Sequence, residues 1–168
     1  LFLGAFLSSG VTFLMWLQPA SRNLPALGVT DQRFSPGWVV GWWFVPIWSF
    51  YKPYQILKEV WFGSGGKGTV IGTVEIWPWL GWFWGTHLAG HLIGNVVARR
   101  LGRDTVNSML AGDYVSILTY GLLIFAGVLL YKFIVVVTDR QTNAYYERRK
   151  QSEQNPAVSI RTTLGLSG

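Results

Sequence analysis

Apolar and polar residues in this chain fall into long separate blocks. Leu1 to Leu17 carries no charge at all. As a helix it covers about 26 Å, close to the ~30 Å hydrocarbon core of a bilayer. Carried on through Gln18 towards Asn23, with Trp16 at the interface, it makes a first membrane segment over about 1–22. Pro19, Pro25, Gly28 and Pro36 punctuate a connection over 19–36. A second segment is expected over 36–62, with Ser35 as N-cap and Pro36 in the first turn. It is nearly uncharged between Arg33 and Lys52, and it contains Trp38, Trp42 and Trp43. Pro46 and Pro53 each remove a backbone donor, so this helix is predicted to be kinked, its 54–62 end emerging amphipathic into the interface. The third block spans about 70–98 and the fourth about 112–138. Lys132 lies near one end of the fourth block, where its ammonium can snorkel outward. Beyond it, Gln141 to Gln154 reads as a charged helical extension, Pro156 interrupts it, and 155–168 reads as a loose tail. The pattern predicts an all-α fold: an integral membrane helical bundle of about four segments, one domain over 1–154.

Composition strengthens this reading. Of the 168 residues 50% are hydrophobic, 16% aromatic and only 13% charged, against roughly 25% charged in a soluble domain. With no cysteine, disulfides, thiolate metal sites and cysteine nucleophiles are excluded. The net charge of +6 comes from residues flanking the apolar blocks, so it marks loop anchors and not a nucleic-acid surface. Residue 1 is leucine and the first basic residue is Arg22. No basic leader opens the chain, so a further N-terminal piece before Leu1 is expected.

The run from Arg33 to Gln55 carries a resemblance. A Trp, then Arg-Asn, then Phe-Ser-Pro-Gly-Trp leading to Trp-Trp-Phe-Val-Pro and a later Pro-Tyr-Gln stand here as Trp16, Arg22-Asn23, Phe34 to Trp38, Trp42 to Pro46 and Pro53 to Gln55. The tryptophan-rich third block and the Gln141 region add to it. In these features the chain resembles the bacterial membrane family called domain of unknown function 4328. The resemblance implies a multi-pass membrane fold and implies no activity.

Candidate chemistry is sparse. Gly63-Ser64-Gly65-Gly66-Lys67-Gly68-Thr69 lacks the spacing of a phosphate loop, and Gly68, not Ser or Thr, follows Lys67. It reads as a flexible linker. His87 and His91 are one helical turn apart and fall on one face, with Asn95 continuing the line and Gly90 and Gly94 alongside. Imidazole is a good axial ligand for a tetrapyrrole, of haem or chlorophyll type, and a bulk-free face would admit one. The plainer alternative is interhelical hydrogen bonding to Ser116 or Thr119. A two-histidine metal site would need carboxylates, and Glu75 lies three turns from His87, so no metal is assigned. Gly81 and Gly85 read as a second close-packing pair. The ten tryptophans fit interface belts and packing better than a pigment lining. With so few acids, no catalytic constellation is assembled.

The reading is therefore a non-catalytic accessory or scaffolding subunit, its partners the lipid bilayer and other membrane protein subunits. The alternatives are a tetrapyrrole-binding subunit for electron or energy transfer through His87 or His91, and a small transporter or channel. Four crossings would put the loop after the second segment and the C-terminus on one side. Their basic residues place that side in the cytoplasm of a bacterial cytoplasmic or internal membrane.

Overall fold

The structure is a computed structural model that describes residues 2–65, 77–100 and 106–154. Among the described residues the fold is all-α: α1 (Phe2–Arg22), α2 (Pro36–Gly41), α3 (Lys52–Gly63), α4 (Trp79–Arg100) and α5 (Val106–Gln154), with short 3-10 turns at Pro25–Leu27 and Trp48–Phe50. The start of the third predicted block, Glu75 included, and the tail over 155–168 lie outside the described residues.

The chain forms two compact units where a single domain was expected. One comprises Leu1–Val74 with Val137–Gly168, the other Glu75–Val136. The division follows from α5 itself. A helix of 49 residues is about 74 Å long, more than one small core can cover, and it contributes its two ends to different units.

In the first unit, α1 buries Leu17, Ala20 and Ser21 and packs against α2, whose Val39 is fully buried. Leu24 and Leu27 continue this core beyond α1. α3 buries Pro53, Ile56, Leu57, Val60 and Trp61, the one-sided stripe of an amphipathic helix. Its last residue, Gly63, lets the backbone close on Leu24 and Val29: a Cβ there would stand 2.7 Å from Leu24 Cδ2.

The second predicted segment is corrected here. Residues 36–62 are not one kinked helix but α2, a turn, a 3-10 turn and α3. Pro46 stands in the turn, where it ends helical hydrogen bonding instead of bending it, and Pro53 stands in the first turn of α3, where its missing N–H is not needed. Twelve residues of α3 span about 18 Å, too short to cross a bilayer.

In the second unit, α4 faces the first part of α5. The buried residues Thr119, Ala126, Leu129 and Phe133 of α5 recur at seven-, three- and four-residue steps along one seam, while Leu80, Phe83 and Trp84 are buried on α4. Trp77 lies against Phe133, ring centroids 5.5 Å apart. The outer side of α5 is apolar too: Ile117, Ile124 and Tyr131 are 68%, 69% and 68% exposed. Among the described residues, α5 is the one helix long and apolar enough to cross a membrane.

Candidate functional site

The histidine face is built on α4. His87 and His91 lie edge to face with ring centroids 4.6 Å apart. Trp84 stacks on His87 at 5.6 Å and Phe83 lies 5.9 Å from the same ring. Gly90 and Gly94 meet α5: a Cβ on Gly90 would be 3.0 Å from Leu123 Cδ2, and one on Gly94 would be 3.3 Å from Thr119 Cγ2. The bulk-free strip beside the imidazoles is thus filled by α5. Gly81 and Gly85 differ from expectation, since a Cβ at either would meet open space. They lie on the side of α4 away from its buried stripe. Among the described residues, no hydrogen bond joins the hydroxyls expected to pair with the imidazoles to His87. Ser116 Oγ donates to Gly112 O of its own helix at 2.8 Å, and Thr119 Oγ1 is buried without a hydrogen-bond partner.

The aromatic run gathers around a cation. The Lys52 ammonium lies 5.4 Å from each of the Phe34, Trp42 and Trp48 ring centroids, a geometry in which each ring face attracts the charge. Trp38 packs on Trp42 at 5.5 Å and Trp43 on Phe13 at 5.3 Å. Between Pro46 and Trp48 the backbone makes a γ-turn: Trp48 N donates to Pro46 O at 2.8 Å, and Ile47 sits at φ 68°, ψ −53°. A β-branched residue is strained there.

A polar junction not foreseen from sequence holds the rest of the first unit. Gln141 Nε2 donates to Ala20 O at 2.9 Å and to Ser64 Oγ at 3.0 Å, while its Oε1 accepts from Asn23 Nδ2 at 3.3 Å. Trp16 Nε1 donates to Thr138 Oγ1 at 3.2 Å. Farther along α5, Arg148 Nη1 donates to Ala26 O at 2.6 Å, and its guanidinium lies on the backbone of Gly28. Glu59 of α3 accepts from the backbone N–H groups of Arg33 and Phe34, tying the approach to α2 onto α3. Burial nevertheless dominates and raises the Glu59 pKa above its ordinary value. Arg140 stacks on Trp61, its guanidinium carbon 4.1 Å from the ring centroid, and burial lowers its pKa. Two clefts of about 450 and 430 Å³ flank this junction, one lined by Ser64, Arg140 and Arg148, the other by Trp16, Asn23 and Tyr145.

Against known proteins, the profile of one family, Domain of unknown function (DUF4328), matches residues 1–139. The chain belongs to this family. No curated protein and no solved structure is detectably similar to it. The DUF4328 match takes in the histidine face, the Lys52 cage and the α1 and α3 sides of the junction, and it ends at Asp139. The α5 side of the junction, from Arg140 onward, lies beyond the matched span. A sequence signal for that side did exist. Val137, Gln141, Ala144 and Arg148 recur at four- and three-residue steps and continue the buried seam of α5 into its charged half.

Proposed function

We propose that this DUF4328 chain is a non-catalytic, multi-pass membrane protein that serves as an accessory or scaffolding subunit. The observation that carries the reading is the exposed apolar face of α5. Ile117, Leu118, Ile124, Val128 and Tyr131 stand out from one helix over several turns. In water that surface would be a large unpartnered patch, whereas lipid or another apolar helix covers it without cost. α1, uncharged before Arg22, and α4, uncharged from Trp79 to Val97, are less apolar than α5 but each 21 or 22 residues long, and they are the further crossings proposed.

Three crossings replace the four expected from sequence. In the four-crossing scheme the chain after α1 and the end of α5 would lie on opposite sides of the membrane. Asn23 and Ala26 instead hydrogen-bond with Gln141 and Arg148, which favours one side for both. That side then carries Arg22, Arg33, Lys52 and Lys58 with Arg140, Arg148, Arg149 and Lys150, and the other side carries Arg99 and Arg100 at the end of α4 and Arg103 after it. The basic excess supports a C-terminus on the cytoplasmic side of a bacterial membrane.

The tetrapyrrole alternative loses its groove. A flat macrocycle would need the strip along Gly90 and Gly94, which Leu123 and Thr119 occupy, and Trp84 covers one side of His87. Purification from native membranes, read by absorption spectroscopy and by identification of co-purifying proteins, tests both readings. The scaffold reading predicts protein partners and no Soret or long-wavelength tetrapyrrole band. A band that disappears on replacing His87 and His91 by leucine would overturn it.

A further inference from the structure

The polar half of α5 carries two guanidinium groups, Arg140 and Arg148, that form no ion pair among the described residues. Arg140 lies flat on Trp61, so its N–H edge stays free, and among the described residues it makes no hydrogen bond or ion pair. Arg148 gives one N–H to Ala26 O, while its Nε is buried without an acceptor. Both side chains line the same cleft of about 450 Å³, together with Ser64, Asn143, Glu147 and Gln151. At the end of α3, Ser64 N and Oγ both bond Val60 O, and Gly65 N bonds Phe62 O. The cleft's carboxylate, Glu147, accepts from Lys150 Nζ at 3.2 Å.

Arg148 is also held in place. Gly28 sits at φ +93°, and a Cβ there would stand 2.0 Å from Arg148 Nη2. The missing side chain at Gly28 is what lets the guanidinium lie against the turn. A fixed guanidinium edge, a second one stacked on an indole, and amide groups from Asn143 and Gln151 form a donor-rich cavity. Its volume falls in the range of small-molecule sites, roughly 300–1,000 Å³. Forked N–H donors in this arrangement match the oxygens of phosphate.

We propose that this cleft binds an anionic phosphate ester, Arg140 and Arg148 each donating to its oxygens. The site stands on the cleft's own geometry and not on the membrane reading. Which source supplies the phosphate does depend on that reading. Arg140 is three residues past Val137, where the apolar run of α5 ends, about 5 Å farther along the axis. In a bilayer this is headgroup depth, so an anionic phospholipid is one source and a soluble phosphate the other.

The test uses the full chain in nanodiscs of phosphatidylcholine, with and without phosphatidylglycerol, and separately in detergent with inorganic phosphate against chloride at matched ionic strength. Native mass spectrometry reads retained lipid, and thermal unfolding reads the phosphate arm. Wild-type protein is expected to retain phosphatidylglycerol about tenfold over phosphatidylcholine, and Arg140→Gln or Arg148→Gln to remove about that factor each, the low end for charge-assisted hydrogen bonds. Arg149→Gln, an exposed residue outside the cleft that pairs with Glu153, should leave it unchanged. A midpoint shift with inorganic phosphate of the same Arg140 and Arg148 dependence would identify a soluble phosphate as the source. Should a glutamine variant fail to fold by circular dichroism, hydrogen exchange of the wild type must show new protection over 140–151 on adding the binding probe. Absence of preference for either probe overturns the proposal. So does an equal loss in the Arg149→Gln variant, which would mean diffuse surface charge.

Discussion

Replacing Gly28 by alanine probes the junction at its tightest contact. Two costs are readable from the structure. At φ +93° an L-residue sits in left-handed backbone, which costs about 1–2 kcal/mol. The new Cβ would also stand 2.0 Å from Arg148 Nη2, so the guanidinium must leave. The bond from Nη1 to Ala26 O, 2.6 Å long, is then lost. Charged hydrogen bonds contribute about 1.5–3 kcal/mol, and partial exposure of this one puts it at the low end. Against this, alanine stiffens the unfolded chain by about 0.4–1 kcal/mol. The net is a destabilisation of about 2–3 kcal/mol. In an Arg148→Ala background only the backbone term survives, so the same change should cost about 0.5–1 kcal/mol. Unfolding in detergent, followed by tryptophan fluorescence from the first unit, supplies the four corners of this cycle. Equal costs in both backgrounds would refute the argument that Arg148 rests on Gly28.

Three further outcomes are expected. Gln141→Leu removes the donors to Ala20 O and Ser64 Oγ and the acceptor for Asn23, and should cost about 1–3 kcal/mol; a neutral result in the same unfolding assay would discount the junction. Ile47→Gly relieves the γ-turn at φ 68°, and relief of about 1–3 kcal/mol less the glycine entropy of about 0.5–1 kcal/mol leaves a net gain near ~1 kcal/mol, so a lowered thermal midpoint would contradict it. Glu59 has a folded pKa raised above its ordinary 4.5 by burial, so the folded state holds its proton to higher pH than the unfolded chain. Its contribution is therefore fully present below pH 4.5 and is lost as pH rises through the raised value. Glu59→Gln should flatten that slope, and an unchanged pH profile would assign the slope elsewhere.

The three long helices were legible because their apolar runs are long and nearly free of charge, Lys132 being the exception in α5, and period alone put His87, His91, Gly90 and Gly94 on one side of α4. The second segment was misread for a physical reason. Proline inside an apolar run signals either a kink or a stop, and nothing in the residue letters distinguishes them. Here Pro46 is followed by a γ-turn, and Trp42 and Trp48 gather around Lys52. Small-residue spacing was equally ambiguous. Gly81 and Gly85 carry the same signal as Gly90 and Gly94, but spacing does not say which side of a helix will meet a neighbour. The Gln141 and Arg148 junction escaped because the charged end of α5 reads as a solvated extension, although its seam keeps the step of the buried half.

Topology is the most direct measurement of the central claim. The chain has no cysteine, so single cysteines report without background. Thr30→Cys lies after α1, Val106→Cys opens α5, and Gln151→Cys lies near its far end; all three sites are exposed. Impermeant maleimide added outside intact cells, then after lysis, reads the side of each. Three crossings with the Asn23 to Gln141 and Ala26 to Arg148 bonds in place predict that Thr30→Cys and Gln151→Cys react only after lysis, and Val106→Cys before it. Labelling of Thr30→Cys and Gln151→Cys from opposite sides, or of all three from one, would contradict the account.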